Sequence, residues 1–222
     1  MAVIHRTALK PTKLELLSSW LPARPWYLGG AGGPDLAKAG GFRLDDPQGE
    51  VGIEFMVITD TSGARPATYL VPLTYRGAPL DGAEHALVGT MEHGVLGRRW
   101  AYDGCHDPVL VGQLTALIEG RVQAQDQSTS DLPDPEVTRS YAGDGLLPAD
   151  FTAGPATDHR KGTDLITPHG TVLRLHRALR PVPDDEPLLP AGATGHVAGP
   201  WMTPEGTRAR GLFAVLLAGP RT

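Results

Sequence analysis

The chain has 222 residues, of which 41% are apolar and 20% are charged, and its formal net charge is −5 at pH 7. This composition is ordinary for a soluble globular protein, and the length allows one large domain or two small ones. The acidic balance argues against a nucleic-acid-binding protein, which needs a clustered basic surface. With 28 glycines and 21 prolines, the sequence predicts many turns and few long helices.

The cellular compartment is inferred from cysteine usage and from the lengths of apolar runs. Cys105 is the only cysteine, which excludes an intramolecular disulfide framework and fits a reducing compartment. The first residues lack the charged segment and the apolar stretch of a signal peptide. No run approaches the roughly 20 apolar residues of a membrane-spanning helix. We therefore expect a cytoplasmic protein without a membrane partner.

The first predicted elements are a strand and a helix. Residues 2–8 alternate weakly between apolar and polar side chains, which favours a short strand. Thr12 and Glu15 have the spacing of a capping box, which starts a helix, and Pro22 ends it. The apolar stripe of this helix consists of Leu14, Leu17 and Leu21.

An antiparallel sheet is predicted from two pairs of strands. Residues 51–58 and 68–75 are joined by a turn-rich segment and should form a long hairpin. Pro72 has no N–H to donate, so its strand should lie at an edge or carry a bulge. The segments 87–91 and 96–102 should extend the same sheet.

The longest predicted helix follows this sheet. Asp107 can cap its N-terminus, and Pro108 takes the first helical position, where a missing N–H costs nothing. Its apolar stripe consists of Leu110, Leu114, Leu117, Ile118 and Val122. A polar run that ends in prolines then predicts a linker at 125–135, which would separate domains at 1–124 and 136–222.

The second domain is predicted to be β-rich, without a helix. Its predicted strands are Glu136–Tyr141, Thr163–Ile166, Thr171–Leu179, Thr194–Ala198 and Arg208–Ala218. The stretch 181–190 carries four prolines. Each proline costs about 3 kcal/mol inside a helix, so no helix fits there.

Cys105, His106 and Asp107 are the residue types of a thiol-based catalytic triad. Three consecutive side chains cannot converge as nucleophile, base and orienting group, because triads assemble from distant parts of a chain. We therefore interpret them as a turn that leads into a capped helix. The sequence predicts no catalytic residue.

Metal binding has weak candidates in the sequence. The eight histidines contain no HExxH pair, and the lone cysteine excludes a thiolate zinc site. The Glu-His pairs at 84–85 and 92–93 could clamp a metal ion, but surface or turn histidines are the favoured interpretation. Acids at 45–46 and 184–186 are interpreted as solvated loop charge, because spacing alone does not place two carboxylates across a sugar-sized cleft.

The aromatic residues allow two interpretations. They could form a platform on which a sugar stacks, or they could be buried in the core. Burial is the favoured interpretation, because aromatic residues are only 6% of the chain and the core needs large apolar side chains. The residues concerned are Trp20, Trp26, Tyr27, Trp100 and Trp201.

Three segments of the first half, in this order, resemble the N-terminal cap of actinobacterial maltokinases and related aminoglycoside-phosphotransferase-like sugar kinases. Leu21–Gly30 is similar to that family's R-W-F-G-G stretch, Tyr69–Arg76 to its Y-x-V-P-L-x-Y-R stretch, and Tyr102–Pro108 to its D-x-x-H-D-P stretch. The resemblance covers residues 1–124. It implies a small antiparallel sheet wrapped on helices, somewhat cystatin-like.

A fainter resemblance continues beyond the linker. Thr171–Pro181 is similar to the family's L-V-L-K-L-F-R-R-L-E-P strand in the kinase N-lobe. The lysine that contacts ATP in that strand falls on Arg174, which is not an equivalent point donor. The helix with its glutamate partner is replaced by the prolines of 181–190. The resemblance thus implies a degenerate N-lobe that is truncated before the C-lobe with its catalytic loop and magnesium-binding acids.

Together these features predict an α+β protein in which the cap-like domain precedes a β-rich, N-lobe-like module. We expect a non-catalytic accessory or interaction protein related to maltokinase, linked to α-glucan, maltose or trehalose metabolism, with a protein partner or self-association. The alternatives are a sugar- or nucleotide-binding module, or a transferase that needs a partner. Arg174 is the one candidate cofactor-contacting residue. No metal ligand and no resident cofactor are predicted.

Overall fold

The computed structural model describes residues 9–30, 32–127, 132–143, 145–147, 151, 154–183, 186 and 188–219. In this part of the chain, fourteen strands and two α-helices form a β-rich fold with two antiparallel sheets. None of the helices in these residues is long and apolar enough to span a membrane.

The first sheet contains strands from residues 9–126 and one short strand, β12, from farther along the chain. Its described strands are β1 (Leu9–Lys10), β2 (Leu36–Leu44), β3 (Gly52–Asp60), β4 (Ala67–Arg76), β5 (Leu87–His93), β6 (Gly97–Asp103), β7 (Gln125–Asp126) and β12 (Ala178–Leu179). The order is β1-β5-β6-β4-β3-β2-β7, and β12 pairs with β4. The two predicted strand pairs are confirmed as β3–β4 and β5–β6.

The second sheet is formed by the second half of the chain. Its described strands are β8 (Thr138–Tyr141), β9 (Ala156–His159), β10 (Gly162–Ile166), β11 (Val172–Leu175), β13 (Ala193–Met202) and β14 (Arg208–Leu217). They lie in the order β8-β13-β14-β11-β10-β9. Because every neighbour is antiparallel, this half needs no crossover helix.

Both predicted helices are confirmed together with their caps. The helix α1 (Lys13–Trp20) begins at the Thr12–Glu15 capping box. The helix α2 (Pro108–Glu119) begins at Asp107, whose carboxylate accepts the N–H of Val109. It ends at Gly120, where a positive φ of 78° closes the helix.

The first sheet separates two apolar clusters because successive side chains of a strand point to opposite faces. On β3, Met56 and Ile58 pack with Leu17 and its neighbours from α1. Phe55 and Val57 face the other way, into a cluster that includes the stripe of α2 and the inner face of the second sheet.

The second cluster joins the two halves of the chain. The ring of Phe42 on β2 lies 4.4 Å from that of Phe55 and 6.0 Å from that of Phe213 on β14. Leu117 of α2 and Leu216 of β14 belong to the same buried cluster. The sheets therefore share one core, while the division of the chain into two domains stays a prediction.

Four described strands, β1, β2, β7 and β9, lie outside the predicted strands, and two predictions need comment. The strands β2 and β9 have no clear apolar alternation, and β7 falls in the predicted linker, where it pairs with β2. The predicted strand 171–179 divides at Arg177, where the chain leaves the second sheet and pairs with the first. The predicted strand at 2–8 lies outside the described residues.

Pro72 does not lie on an edge strand, because β4 has neighbours on both sides. On one side the partner changes from β12, which pairs with Thr68 and Tyr69, to β6, which begins opposite Leu73. Leu70 donates its N–H to Arg177 on that side. Pro72, two residues on, therefore faces the gap between the two partners, where a missing donor breaks no ladder bond.

Candidate functional site

The first motif segment, Leu21–Gly30, forms an aromatic cluster on the first sheet. Trp26 is fully buried, and its ring lies 5.8 Å from that of Trp20 and 5.9 Å from that of Tyr69. The N–H of Leu28 donates to the Tyr69 hydroxyl at 2.8 Å. This segment is therefore fixed to the start of the second motif segment on β4.

The second motif segment, Tyr69–Arg76, is fixed in turn to the third. The guanidinium of Arg76 donates twice to the Asp107 carboxylate, with both distances 2.7 Å. This bidentate pair raises the pKa of Arg76. Asp107 also caps α2, so one carboxylate holds both the end of β4 and the start of the helix.

The third motif segment, Tyr102–Pro108, is a compact junction. The Asp103 carboxylate accepts the N–H of Cys105 at 3.1 Å and starts a 3₁₀ turn over Gly104–His106. Asp107 and Pro108 then start α2 as its cap and its first residue. Each of the two aspartates of the motif thus caps the start of a helical segment, Asp103 the 3₁₀ turn and Asp107 the helix α2.

Arg177, which follows β11, connects these motif segments to the second sheet. Its side chain is fully buried, and its Nη2 donates to both oxygens of Asp103 at 2.6 Å. Its Nε donates to Thr163 Oγ1 on β10 at 2.7 Å, and its guanidinium carbon lies 5.1 Å from the Trp26 ring centroid. Burial opposes the charge, but the Asp103 carboxylate outweighs it and the pKa of Arg177 is raised.

A cleft of about 430 Å³ opens beside this junction. It lies between the segment 80–85, the start of α2, Phe151 and the segment 154–156. Its polar lining comes from Asp81, His85, His106 and Asp107, and apolar side chains such as Val111 form the remaining wall. This volume lies in the range of small-ligand sites.

Two histidines meet at the wall of the cleft. His85 Nε2 lies 3.1 Å from His106 Nδ1, and the two rings are nearly perpendicular, at 86°. One nitrogen must donate and the other accept for this hydrogen bond to form. Burial lowers the pKa of His106, and His85 lowers it further, while Asp103 opposes both effects. His106 is therefore harder to protonate than an ordinary histidine.

Arg174 lies on the outer face of the second sheet, away from the shared core. Its Nε and Nη2 donate to the two oxygens of Asp164 on β10, each at 2.7 Å. His159 Nε2 lies 3.1 Å from the same carboxylate. Although partial burial acts to raise it, the pKa of Asp164 is lowered by these two neighbours.

The three motif segments also agree with a known family. Residues 20–107, about two fifths of the chain, match the family model of the maltokinase N-terminal cap domain. The chain contains a maltokinase cap-like region. We refer to residues 20–107 as the cap region. No curated protein matches the chain.

The match confirms the resemblance that was based on the three motifs. The motif residues of the cap region contact one another through Leu28–Tyr69 and Arg76–Asp107, as described above. The side chains of Tyr69, Arg76 and Asp107 are therefore occupied by contacts within the fold.

The consecutive residues of the suspected triad diverge, as predicted. Cys105 accepts a hydrogen bond from Arg177, whereas His106 contacts His85 and Asp107 contacts Arg76. Burial raises the pKa of the Cys105 thiol, which disfavours a nucleophilic thiolate.

The other sequence candidates are also accounted for where the structure describes them. The described residues contain no group of three or more His, Cys, Asp or Glu side chains that could hold a metal ion. Trp26 and Trp201 are both buried, in different clusters, so the aromatic residues do not form one platform. Asp46 accepts three backbone N–H groups of its own turn. Asp184 and Asp185 lie outside the described residues.

Arg174 is the predicted cofactor-contacting residue, and its contact with ATP stays a prediction. Two features were missed from the sequence: the Arg177 contacts and the His85–His106 pair. The members of these pairs are 74 and 21 residues apart, so no local motif indicates them.

Proposed function

We propose that this protein is a non-catalytic accessory protein of maltose and α-glucan or trehalose metabolism. In this proposal it docks on a sugar-active enzyme through the outer face of the second sheet. The cap region supports the relation to maltokinase. The observation that carries the docking surface is an apolar row across three strands, formed by Ile166, Val172 and Leu217.

The register places these three side chains side by side. Ile166 pairs with Val172, and Val172 pairs with Leu217, so all three point to the same face. Their neighbours along the strands, Leu165 and Leu173, belong to the buried core and define the inner face. Ile166 is 49% exposed. The two described helices pack elsewhere, α1 on the first sheet and α2 on the core.

The charged neighbour of this row supports a non-catalytic role. Phosphoryl transfer needs a lysine that is free to hold phosphate oxygens. Arg174 is engaged by both oxygens of Asp164 instead. An arginine in a bidentate pair is a fixed, planar group that suits a protein interface.

Ile166→Asp is expected to abolish docking, because it places a charge on the most exposed member of the apolar row, next to Val172 at its centre. The measurement is a native pull-down with the partner identified by mass spectrometry, together with light scattering for self-association. Val95→Asp, at an exposed apolar residue of the β5–β6 turn, is the matched control and should retain the partner. A strictly monomeric wild-type protein that captures no sugar-active enzyme would overturn the proposal, and a homodimer would redirect it to self-association.

An assay of ATP turnover distinguishes the transferase alternative from the docking proposal. We expect no turnover by the wild-type protein or by Arg174→Lys. If the lysine variant turned over ATP in the presence of a sugar, the face would have to be interpreted as a nucleotide site.

A second candidate function, binding of a small ligand, is favoured by the cleft. A nucleotide would require free positive charge for its phosphates. At the cleft, Arg76 is paired with Asp107, and the N-terminus of α2 is capped by that same carboxylate. Asp81 adds a further negative group. An uncharged sugar therefore fits the lining better than a nucleotide.

Asp81→Ala is expected to weaken sugar binding without loss of stability, because Asp81 is exposed and lines the cleft. The measurement is a thermal-shift titration with maltose, trehalose, glucosamine and ATP. A ligand at 100 times its Kd adds about 2.7 kcal/mol of stability. Glu205→Ala, in an exposed turn, is the control. If none of the three sugars shifted the melting temperature, sugar binding would be contradicted. The docking proposal does not depend on this result.

A further inference from the structure

The His85–His106 hydrogen bond joins two separate segments at the cleft. His85 lies in a 3₁₀ turn over Glu84–Ala86, and His106 is the last residue of the 3₁₀ turn before α2. We propose that this pair is a proton-operated latch on the wall of the cleft. The latch is closed while the pair holds no more than one extra proton, and it opens when both rings are protonated.

The geometry of the contact gives this dependence. With both rings neutral, one nitrogen carries a hydrogen and the other a lone pair, which is the arrangement that a separation of 3.1 Å requires. One added proton preserves it, because an imidazolium donates to a neutral imidazole. A second proton places hydrogens on both facing nitrogens and brings two positive charges together. The hydrogen bond is then lost, and the charges repel.

The surrounding charges determine the pH at which the second proton binds. Around His106 these are Asp103 on β6, Arg177 after β11, Asp158 on β9 and His85 itself. Asp103 is neutralised by its ion pair with Arg177, so its attraction for a second proton is reduced.

On the other side of the contact, His85 shares the cleft with Asp81 and Asp107 and follows Glu84 in the chain. Asp107 is neutralised by Arg76. Burial and mutual repulsion therefore oppose the second protonation, in agreement with the pKa of His106, which is lowered from its ordinary value.

The structural effect of opening is local. Leu80 donates its N–H to the Tyr102 hydroxyl at 2.9 Å, and Ala83 and Ala86 are buried against Tyr102. These anchors involve neither His85 nor His106, so they persist when the pair opens. Between them, the exposed side of the 81–85 turn loses its contact with the 3₁₀ turn that precedes α2, and the cleft widens. The latch regulates the cleft of the second proposed function, but its test needs no ligand.

Amide hydrogen exchange of residues 82–86, corrected for the intrinsic rate, measures opening directly. We expect it to be about tenfold faster at about pH 5 than at about pH 7.5, the effect of one pKa unit. In His85→Gln the amide oxygen replaces Nε2 as an acceptor and does not titrate, so exchange should stay slow at both pH values. In His85→Ala it should be fast at both.

One control and a second readout keep the outcome clear. His169→Ala changes an exposed histidine in the β10–β11 turn and should behave like the wild type. Carbon-13 spectra of the imidazoles should show His106 titrating at higher pH in His85→Ala than in the wild type, because the repelling partner is gone. Corrected exchange in the wild type that does not change with pH, or a pH response that His85→Gln retains, would overturn the proposal.

Discussion

Asp103→Asn is expected to lower the free energy of unfolding by about 3–5 kcal/mol, the usual cost of removing one partner of a buried ion pair. The asparagine keeps the shape of the side chain but leaves the fully buried Arg177 guanidinium without its counterion. Nη1 of Arg177 already lacks a hydrogen-bond partner, so no reserve contact replaces the lost one. Urea denaturation measures the change, with the midpoint lowered and the slope retained.

Two further variants show whether the cost of Asp103→Asn comes from the burial of the ion pair. Glu92→Gln removes the partner of Arg98, in an ion pair whose side chains are both about 60% exposed, and should cost no more than about 1 kcal/mol. The double variant Asp103→Leu with Arg177→Met removes both charges and should recover much of the loss, because apolar replacement of a buried pair is often neutral. A cost for Asp103→Asn as small as that of Glu92→Gln would contradict the prediction.

The position of Arg177 makes this loss a test of how the two halves are joined. Asp103 belongs to the cap region, while Arg177 and Thr163 lie beyond it. The ion pair crosses between the two sheets at the place where β12 pairs with β4. Weakening it should therefore destabilise both sheets together, and fluorescence and circular dichroism should report one transition.

The helices could be predicted from the sequence because their signals are local. Thr12 and Glu15 cap α1 across three residues, and Asp107 with Pro108 starts α2. The hairpin β3–β4 is also local, since a turn joins its strands. In each case the residues that specify the element lie within or beside it.

The strand β2 shows why other elements were missed. It contains Lys38, Gly40 and Gly41, which have low strand propensity, and a bulge interrupts its pairing with β3. At Gly41, with φ of 128°, an added Cβ would lie 2.1 Å from the carbonyl oxygen of Phe55. The pairing with β3 makes this segment a strand, and pairing of that kind is not visible in local composition.

Arg177 carried a signal that period-two alternation could have detected. It continues the alternating positions of Leu173 and Leu175, both of which are core residues, so the pattern places an arginine on an apolar face. A buried charge needs a buried partner. The sequence does not identify that partner, because Asp103 is 74 residues away and is one of many acidic residues.

Trp26→Ala is expected to cost about 3–5 kcal/mol of stability, the range for deleting a large buried aromatic side chain. The Trp26 ring contacts Trp20 and Tyr69 and lies over the Arg177 guanidinium. Leu28→Ala, two residues away at a side chain that is 65% exposed, should stay within about 0.5 kcal/mol. Urea denaturation of the two variants and the wild type gives the comparison.

Trp26→Phe shows which part of the indole matters. The Nε1 of Trp26 is buried without a hydrogen-bond partner, so the phenyl ring loses no hydrogen bond and even removes an unsatisfied donor. Its cost should therefore be limited to the smaller ring and a weaker cation–π contact with Arg177, about 0.5–2 kcal/mol for the latter. If Trp26→Phe were as damaging as Trp26→Ala, a polar role of the indole nitrogen would be required. A smaller loss would instead identify Trp26 as the aromatic filler that holds the first motif segment, β4 and Arg177 together.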